Sequence, residues 1–364
     1  MNMKIKTTKE EIQAAIATVS NIVSPKATLP ILSNMLLETK DSLLKLNTTD
    51  LDIGISCELP VHVYEQGAIT IPAKRFSDIV RELPSGEVII VARKNNQIDI
   101  EGLNCRFKLN GLPKEEFPKF PEFKDKDSVL IKQMDLKEMV RLTNFAVSYE
   151  ESRYVLNGLL LEVAGDVVRM VATDGRRLAK IEKKLIQPTL KDFHIIIPVK
   201  AINEINRNLK EDGQVSIIHG VNQVLFNING VLIATRIIEG EFPNYKQVIP
   251  KESTNKAKVK TQDLLAAIRR ANLLSTPDFQ AIKFELFKDK LVISKNTPDV
   301  GESREEVVVE YGQQELIVGF NPQFFIDVLK NINEEFVPME FLGPDKPCVL
   351  RLKEYLYLAL PMRL

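Results

Sequence analysis

The sequence predicts an α+β protein made of three similar domains in tandem, each with two helices packed on antiparallel sheets. Two observations predict this architecture. An apolar passage ending in Thr recurs at a fixed spacing, and a short β run followed by an amphipathic segment recurs in step with it. The 364 residues leave room for two or three domains with buried cores.

The first recurring passage ends at Thr49, Thr173 and Thr297. These threonines are 124 residues apart by subtraction (173−49 and 297−173). The residues before each one are mostly alternating or continuous apolar residues, as in a strand. Self-similarity at this period indicates three copies of one fold.

The second recurring element is a β run that leads through a proline into an amphipathic helix. It begins at Ile69–Pro72, Ile195–Pro198 and Val318–Pro322. Apolar residues follow at positions i, i+3 or i+4, and i+7, and proline is favoured in the first helical turn.

Each repeat also begins with an amphipathic helix. Thr8 and Glu11 form a predicted capping box for the first, in which the hydroxyl and the carboxylate satisfy backbone N–H groups. We expect Asp135 and Thr261 to cap the corresponding helices of the second and third repeats.

Polar tracts at Lys124–Ser128 and Lys251–Asn255 are interpreted as linkers. They divide the chain into predicted domains at residues 1–126, 127–253 and 254–364. Short alternating runs between the helices predict about eight strands in each domain.

Composition excludes several classes of protein. Lys+Arg and Asp+Glu both number 49, so any attraction to a polyanion must come from a local patch. The three cysteines and three histidines are scattered and form no disulfide framework or metal-ligand pattern. Because no apolar signal core or membrane-length apolar run is present, we expect a cytoplasmic protein without a membrane span.

No linear motif of an enzyme is present. The sequence lacks a phosphate-binding loop, a dinucleotide-binding fingerprint and a nucleophile elbow. We therefore expect no catalytic residue, no metal and no cofactor. Because many active sites have no linear signature, an enzyme remains an alternative.

The second helix of each repeat carries a polar row at i, i+4 and i+7, opposite the apolar stripe. We expect each row to face solvent, either as ordinary solubilising ion pairs or as cations facing a polyanion. Basic groups outnumber acidic ones only slightly over the six predicted helices, which permits DNA binding without establishing it. The rows are Lys74, Asp78 and Arg81; Lys200, Glu204 and Arg207; and Gln323, Asp327 and Lys330.

Asp174-Gly175 between apolar flanks predicts a tight hairpin, since Gly accepts a positive φ without steric cost. From the residues alone this is a turn with two exposed arginines, Arg176 and Arg177. The repeat carries an equivalent turn after Thr49, but only the second copy has Gly-Arg-Arg-Leu there.

The chain resembles the bacterial sliding-clamp family, the beta subunits of replicative DNA polymerase III. The resemblance covers the whole length. It is carried by Thr28–Leu32, Leu156–Gly158, Ala172–Ala179, Glu241–Tyr245, Gly319–Asn321 and Leu360–Leu364.

The resemblance implies DNA-clamp domains in a head-to-tail homodimer, forming a ring of six domains around duplex DNA. Contacts would be to phosphates without base readout. The implied DNA-binding residues are Lys26, Lys74, Arg81, Arg153, Tyr154, Lys200, Arg207 and Lys330.

The family's subunit contact, carried over to this chain, pairs one edge strand of the first domain with the third domain. It would use Arg106, Phe107 and Leu109 against Leu273 and Leu274. Phe107 and Leu109 share one side of the predicted strand, as such a junction requires.

The resemblance also implies a mostly apolar groove that takes short peptides of the polymerase, the clamp loader, other polymerases and repair factors. Arg176, Gln247 and Phe324 depart from the familiar His, Arg and Tyr of the family, which leaves peptide preference open. This implied partner groove comprises Leu156, Thr173, Gly175, Arg176, Arg177, Leu178, Pro243, Val248, Asn321, Phe324, Leu358, Leu360, Pro361, Met362 and Arg363.

The alternative hypothesis is a repeat-built enzyme or small-ligand binding protein with a pocket near Thr173–Arg177. Perturbed titratable groups in a closed pocket would favour it, whereas an open apolar groove would count against it.

Overall fold

The computed structural model describes residues 2–24, 29–123, 128–189 and 191–364. Within these ranges each repeat contributes two α-helices. They are α1 (Lys9–Val19), α2 (Ala73–Glu82), α3 (Gln133–Thr143), α4 (Val199–Asn208), α5 (Thr261–Asn272) and α6 (Pro322–Asn331).

The strands of the described ranges follow the threefold pattern. In the first repeat they are β1 (Met3–Thr8), β2 (Asn34–Lys40), β3 (Leu43–Thr49), β4 (Ile53–Pro60), β5 (His62–Glu65), β6 (Ala68–Pro72), β7 (Glu87–Ala92), β8 (Gln97–Gly102) and β9 (Cys105–Asn110). In the second they are β10 (Ser128–Lys132), β11 (Gly158–Ala164), β12 (Val167–Thr173), β13 (Arg177–Lys184), β14 (Phe193–Pro198), β15 (Gln214–His219), β16 (Gln223–Ile228) and β17 (Val231–Arg236). In the third they are β18 (Lys256–Lys260), β19 (Ile282–Phe287), β20 (Lys290–Thr297), β21 (Gly301–Glu310), β22 (Leu316–Phe320), β23 (Phe336–Phe341), β24 (Cys348–Arg351) and β25 (Tyr355–Ala359).

One of the three predicted helix caps is confirmed. Thr8 and Glu11 form the capping box of α1. The prediction for Asp135 is wrong, because α3 begins two residues earlier and places this carboxylate in its first turn. The prediction for Thr261 is also wrong: Thr261 is the first residue of α5, and its hydroxyl donates to the Glu334 carbonyl at 2.6 Å.

The described chain forms two compact units, and the first contains two antiparallel sheets. This unit comprises the residues through Met134 together with Lys200–Ile237. One sheet has five strands in the order β5-β1-β7-β8-β9, and the other has eight in the order β10-β15-β16-β17-β4-β3-β2-β6. Helices α1 and α2 pack on each other, with Ile12, Ile16 and Phe76 buried.

The second unit comprises Asp135–Val199 and Ile238–Leu364. It contains a twelve-stranded sheet in the order β14-β11-β12-β13-β25-β24-β23-β18-β21-β20-β19-β22. Helices α5 and α6 pack together, and Phe284, Phe320 and Phe325 stack with ring centroids 5.0–5.4 Å apart. Within the described ranges, no helix has both the length and the apolar character to cross a membrane.

Two strand pairs carry the sheets across the boundaries between repeats. β17 pairs with β4 from Leu232↔Ser56 to Thr235↔Ile53, and β13 pairs with β25 from Arg177↔Ala359 to Ile181↔Tyr355. Such pairing satisfies backbone groups that a separate domain would expose at its edge. The domain limits suggested by the linkers remain predictions, and residues 126 and 127 lie outside the described residues.

A short backbone bridge recurs in all three repeats. It joins the strand before the second helix to a later segment of the same repeat. The bridged pairs are Thr70↔Leu112, Ile196↔Ile238 and Gly319↔Met362. The repeat therefore extends beyond helices and strands to the segment that follows them.

The predicted Thr-Asp turn has the same hydrogen bonds in the first two repeats. Thr173 donates its hydroxyl to the Arg177 carbonyl at 2.6 Å and accepts from the Gly175 N–H at 3.1 Å. In the same way, Thr49 donates its hydroxyl to the Ile53 carbonyl and accepts from the Leu51 N–H, so Leu51 takes the place of Gly175.

The third threonine is different. Thr297 donates its hydroxyl to the Leu274 carbonyl at 2.6 Å, a contact to the end of a helix like that of Thr48 to Val19. The sequence spacing therefore equates Thr297 with Thr49 and Thr173, although their hydrogen bonds differ.

We expect Leu51→Gly to raise the free energy of unfolding by about 0.5–1 kcal/mol, because an L residue with a side chain is strained at positive φ. Leu51 has φ +82° and Gly175 has φ +85°, and the Leu51 side chain is half exposed. Urea denaturation followed by circular dichroism measures the change.

Gly175→Leu is the reciprocal variant and should destabilise the protein by about 1–3 kcal/mol. A Cβ at this position would lie 2.6 Å from Arg153 Nη1. Equal effects of the two substitutions would contradict the account of strain at this turn.

Candidate functional site

All fifteen residues of the predicted partner groove lie in the second unit. The pairing of β13 with β25 places Leu178 directly opposite Leu358. Both belong to one buried apolar cluster with Tyr245, on the connection between the second and third repeats. Side chains from distant parts of the sequence therefore share one apolar base.

The residues after β25 lie beside the Asp174–Arg176 turn. The Leu360 N–H donates to the Arg176 carbonyl at 2.8 Å, and the Met362 N–H donates to the Gly319 carbonyl at 2.8 Å. The turn and the 360–364 segment are thus fixed to each other and to the edge strand β22.

Arg177 is the most heavily bonded polar side chain of this region, and its predicted exposure is wrong. The side chain is 11% exposed, with Nη1 2.6 Å from Asp327 Oδ2 and Nε 3.0 Å from Asp174 Oδ2. Its Nη2 donates to the Phe145 carbonyl at 2.6 Å. Arg176, by contrast, is exposed as predicted.

Phe324 lies beneath this arginine. The Arg177 guanidinium carbon is 4.8 Å from the Phe324 ring centroid, a cation–π geometry. Phe324 is buried, and its carbonyl accepts from the buried Tyr357 hydroxyl at 2.8 Å. Asn321 caps α6 by accepting from the Gln323 N–H at 2.9 Å. Phe324 therefore supports the guanidinium, and its ring faces a cation.

The remaining groove residues differ in exposure. Leu156 is buried, while Pro361 and Met362 are partly buried. Pro243, Val248, Leu360 and Arg363 are exposed. Exposed apolar side chains next to a fixed polar network have the composition that a peptide-binding surface needs.

The prediction that the polar rows of the second helices face solvent is only partly correct. Lys74, Arg81, Lys200, Arg207 and Lys330 are exposed. Two of the three middle acids are not: Glu204 is buried beside Arg207 at 2.8 Å, and Asp327 is bonded to Arg177. Asp78 stays partly exposed beside Arg81, so tertiary packing draws only Glu204 and Asp327 away from solvent.

Several predicted DNA-binding cations are already paired with acids. Arg81 lies 3.0 Å from Asp78, and Lys200 forms an ion pair with Asp50 in the Thr-Asp turn of the first repeat. Paired cations project a weaker field than free ones, so this surface offers moderate attraction to a polyanion.

The two other predicted DNA contacts of the second repeat lie beside the groove. Arg153 Nη1 donates to the Asp174 carbonyl at 3.0 Å, and Tyr154 is 58% exposed. Lys26, a further predicted contact, lies outside the described residues.

The predicted subunit contact of the first repeat is an open edge. β9 is the last strand of the five-stranded sheet, as predicted. Phe107 and Leu109 pair with Ile100 and Ile98, so they project on the face where those isoleucines are buried. Phe107 is 38% exposed.

A buried carboxylate organises the charges at this edge. Asp99 is 1% exposed, 2.7 Å from Arg93 Nε and 3.2 Å from Arg106 Nη2. Burial alone would raise the pKa of Asp99, but hydrogen bonds from Arg93 and Arg106 outweigh it and hold the pKa below its ordinary value.

A second open edge in the third repeat was not predicted. β21 pairs along Gly301–Val308 with β20, and only Val309 and Glu310 pair with β18 on the other side. Glu302, Glu306 and Val308 are exposed there. Strand pattern alone could not identify this edge, since it depends on where β18 stops pairing.

Leu273 and Leu274 follow α5, beside β21. Leu273 is 80% exposed. Arg270 forms a two-bond ion pair with Glu305, whose pKa is lowered by this contact. An apolar side chain this exposed next to an open strand edge is typical of a surface that another chain covers.

The described residues contain no group of three or more His, Cys, Asp or Glu side chains that could hold a metal ion. Near Thr173–Arg177 the titratable groups Asp174, Arg177 and Asp327 are paired with one another. The three cysteines are free thiols, and burial raises the pKa of Cys57 to about 12.

Three family models match the chain in order. They describe the N-terminal domain of the DNA polymerase III beta subunit (residues 3–121), the central domain (130–244) and the C-terminal domain (246–363). The chain belongs to the DNA polymerase III beta subunit family. The three tandem clamp domains and the α+β class predicted from the sequence are thereby confirmed.

Relatives of this family match along their full length. The chain is 32% identical to the beta sliding clamp of Chlamydia pneumoniae, covering 100% of this chain and 99% of the relative. It is 30% identical to that of Escherichia coli K12, covering 100% of both. A sliding clamp of Pseudomonas aeruginosa bound to griselimycin has a TM-score of 0.96 at 31% identity, and one from Bacillus subtilis has 0.96 at 29%, each covering 100% of both chains.

In this member of the beta subunit family, we expect Arg177→Met to lower the free energy of unfolding by about 2–4 kcal/mol. The substitution leaves Asp174 and Asp327, both 19% exposed, without their shared cation. Arg176→Met is the matched control and should change it by about 0.5 kcal/mol or less. Urea denaturation compares the two, and equal losses would contradict the structural role of Arg177.

Proposed function

We propose that this chain is a DNA sliding clamp: a ring-shaped homodimer that encircles duplex DNA and tethers the replicative polymerase in the bacterial cytoplasm. The observation that carries the proposal is the ordered match of three beta subunit domains to the three repeats. Topological linkage gives processivity without tight binding. The clamp therefore needs a hole, a closable junction and a docking site, and no catalytic group.

The charge distribution suits sliding. If a ring held DNA through many free cations, its affinity would fall steeply with salt, because each phosphate contact releases counterions. Many strong contacts would also resist sliding. Here Arg81, Arg207 and Lys200 are exposed but paired with Asp78, Glu204 and Asp50. We infer that Lys74, Arg153, Tyr154, Lys330 and Lys26 join them in brief, sequence-independent phosphate contacts.

We infer that the ring closes where the open edge of β9 meets the open edge of β21 of a second copy. Main-chain pairing of two such edges extends a sheet between subunits. The edges are complementary in charge: Arg106 and Lys108 stand on β9, and Glu302 and Glu306 on β21. Phe107 and Leu109 would then cover Leu273 and Leu274. The contact is head-to-tail and closes by rotation.

We infer that the partner groove takes short peptides of the polymerase, the clamp loader and other replication or repair proteins. Its fixed network of Arg177, Asp327 and Phe324 adjoins the turn to which the exposed Leu360 is bonded. The exposed Val248 is bonded to Tyr245, which belongs to the apolar base of the groove. Pre-organised groups reduce the entropy cost of binding a flexible peptide. Griselimycin, bound to the Pseudomonas aeruginosa relative, is a ready probe for this surface.

The alternative of an enzyme near Thr173–Arg177 is less well supported. Asp174 and Asp327 are held in ion pairs with the mostly covered Arg177, which suits a structural role. A general acid or base must reach the reacting proton of a substrate by a hydrogen bond, and here both carboxylates are bonded to Arg177 instead.

The ring is tested with Phe107→Asp, which places an unpaired charge at the proposed junction and should weaken the dimer by about 2 kcal/mol or more, roughly thirtyfold. Light scattering measures the dimer. Encirclement is measured by loading the protein onto nicked circular DNA with the clamp loader. The protein should stay on the circular DNA and be lost when that DNA is linearised.

Tyr64→Asp is the matched control for the junction. Tyr64 is a half-exposed aromatic residue on β5, the opposite edge strand of the same sheet. It should leave the dimer intact. A wild-type chain that stays monomeric at micromolar concentration, or that slides off circular and linear DNA alike, would refute the ring.

The groove is tested with griselimycin by titration calorimetry. Val248→Glu and removal of Leu360–Leu364 should each weaken binding by at least about tenfold, since both remove apolar walls of the groove. Val221→Glu changes a side chain that is 97% exposed in the first unit, and should have no effect. If griselimycin bound both groove variants as tightly as the wild type, its binding site would lie elsewhere. That result would leave the proposal of a ring-shaped dimer unchanged.

A further inference from the structure

The third repeat has an open cavity at a place that the first two repeats fill with their own chain. Its volume is about 720 Å³, within the range of peptide and small-molecule pockets. Asp278–Ala281, the outward faces of β19–β21 and Met362–Leu364 line it. None of the predicted partner-groove residues except Met362 and Arg363 takes part.

Strand register identifies the equivalent residues of the three repeats. Met35 pairs with Ile71, Leu159 with Ile197 and Ile282 with Phe320, and each partner lies two residues before the second helix. Counting back three residues from Met35, Leu159 and Ile282 equates Leu32, Leu156 and Phe279. The recurring bridges likewise equate Leu112, Ile238 and Met362.

In the first repeat, an aromatic side chain from the following segment covers this place. Phe117 comes five residues after the bridge residue Leu112. It is 7% exposed and packs with Ile31, Leu32 and Leu112. Glu116 and Pro118 flank it.

The second repeat uses the same solution. Phe242 comes four residues after the bridge residue Ile238 and packs in the apolar cluster that contains Ile238 and Val155. It too is flanked by Glu and Pro, at Glu241 and Pro243. An internal Glu-Phe-Pro segment is thus the natural occupant of this place in both repeats.

In the third repeat the place is open and only part of the corresponding wall is apolar: Phe279 and Met362 stand where the first repeat has Leu32 and Leu112, whereas Asp278 and Lys283 replace Ile31 and Leu36. Phe279 is 47% exposed, whereas its equivalents Leu32 and Leu156 are 5% and 6% exposed. Phe279 and Met362 both line the cavity, as Leu32 and Leu112 both contact Phe117.

The apolar wall is held in place before any ligand binds. Lys295 is 4% exposed, and its Nζ donates to the carbonyls of Phe279 at 2.6 Å and Ala281 at 2.8 Å. A wall fixed in this way loses little entropy on binding. The rim is more polar than in the other repeats. Lys283, ion-paired to Glu285 at 3.1 Å, stands where the first two repeats have Leu36 and Leu160.

We propose that this cavity is a second docking site, which adjoins the partner groove at Met362 and Arg363 and binds a peptide with a Glu-Phe-Pro core from another protein. The phenylalanine would pack on Phe279 and Met362, as Phe117 packs on Leu32 and Leu112. The proline favours an extended backbone at the phenylalanine before it, which is the conformation of Phe117. The site would let the clamp hold a second segment of a partner already bound at the groove, with the gain that linked sites give.

The test uses a fluorescein-labelled peptide that copies residues 112–121 of the chain, titrated by fluorescence anisotropy against the full-length dimer. Binding is expected in the range of about 10–100 µM. The same peptide with Phe117→Ser should bind at least about tenfold more weakly, because the aromatic anchor is lost.

Two clamp variants locate the binding. Phe279→Ser removes the apolar wall, and Asn296→Trp fills the cavity from an exposed position. Both should weaken the peptide at least about tenfold. Val248→Glu, in the partner groove, and Val221→Glu, in the first unit, should leave its affinity unchanged.

No binding up to about 1 mM peptide would overturn the proposal. It is overturned as well if both cavity variants bind normally, or if Val248→Glu abolishes binding, since the peptide would then occupy the partner groove. Circular dichroism of each variant establishes that the fold is retained.

Discussion

Antiparallel pairing between strands of different repeats is the constraint on which the candidate site depends. β13 pairs with β25 over Arg177–Ile181, and this pairing aligns the Asp174–Arg176 turn with the 360–364 segment. It also brings Arg177 to Asp327, a residue 150 positions later in the chain. Without that register the arginine would be a solvated side chain on a loop, and the apolar residues around it would have no common base.

The three repeats keep one scaffold and use it differently. The Thr-Asp turn has the same hydrogen bonds in the first two, but Leu51 occupies at positive φ the place where the second has Gly175. Gly175 leaves room for Arg153 to lie against the turn, so the second copy gains a polar surface there. In the third copy Thr297 bonds to Leu274 instead of closing the turn, and a cavity lies beside β19–β21. Divergence at a few positions therefore gives equivalent folds unequal surfaces.

Opposite charges are balanced in this chain, and many of them are paired. Its basic and acidic residues are equal in number, and the exposed cations of the helices are mostly paired within their own unit. At the β9 edge, the cations Arg93 and Arg106 are likewise paired, with the buried Asp99. For a protein proposed to encircle DNA and move along it, moderate attraction is an advantage, because strong phosphate contacts would have to break at every step.

The sequence by itself determined the threefold repeat, the α+β class and the capping box at Thr8, because repetition, periodicity and capping can be read from the residues themselves. Resemblance to the family supplied the groove residues and the edge position of β9. Tertiary structure alone decided that Arg177 is mostly covered while Arg176 is exposed, that Glu204 and Asp327 leave the predicted solvent-facing rows, and that β21 has an open edge. Arg177 and Asp327 meet across 150 positions of sequence, Glu204 is buried by packing, and the edge of β21 depends on where β18 stops pairing. Helical or strand spacing carries no information about which distant residues will cover a side chain.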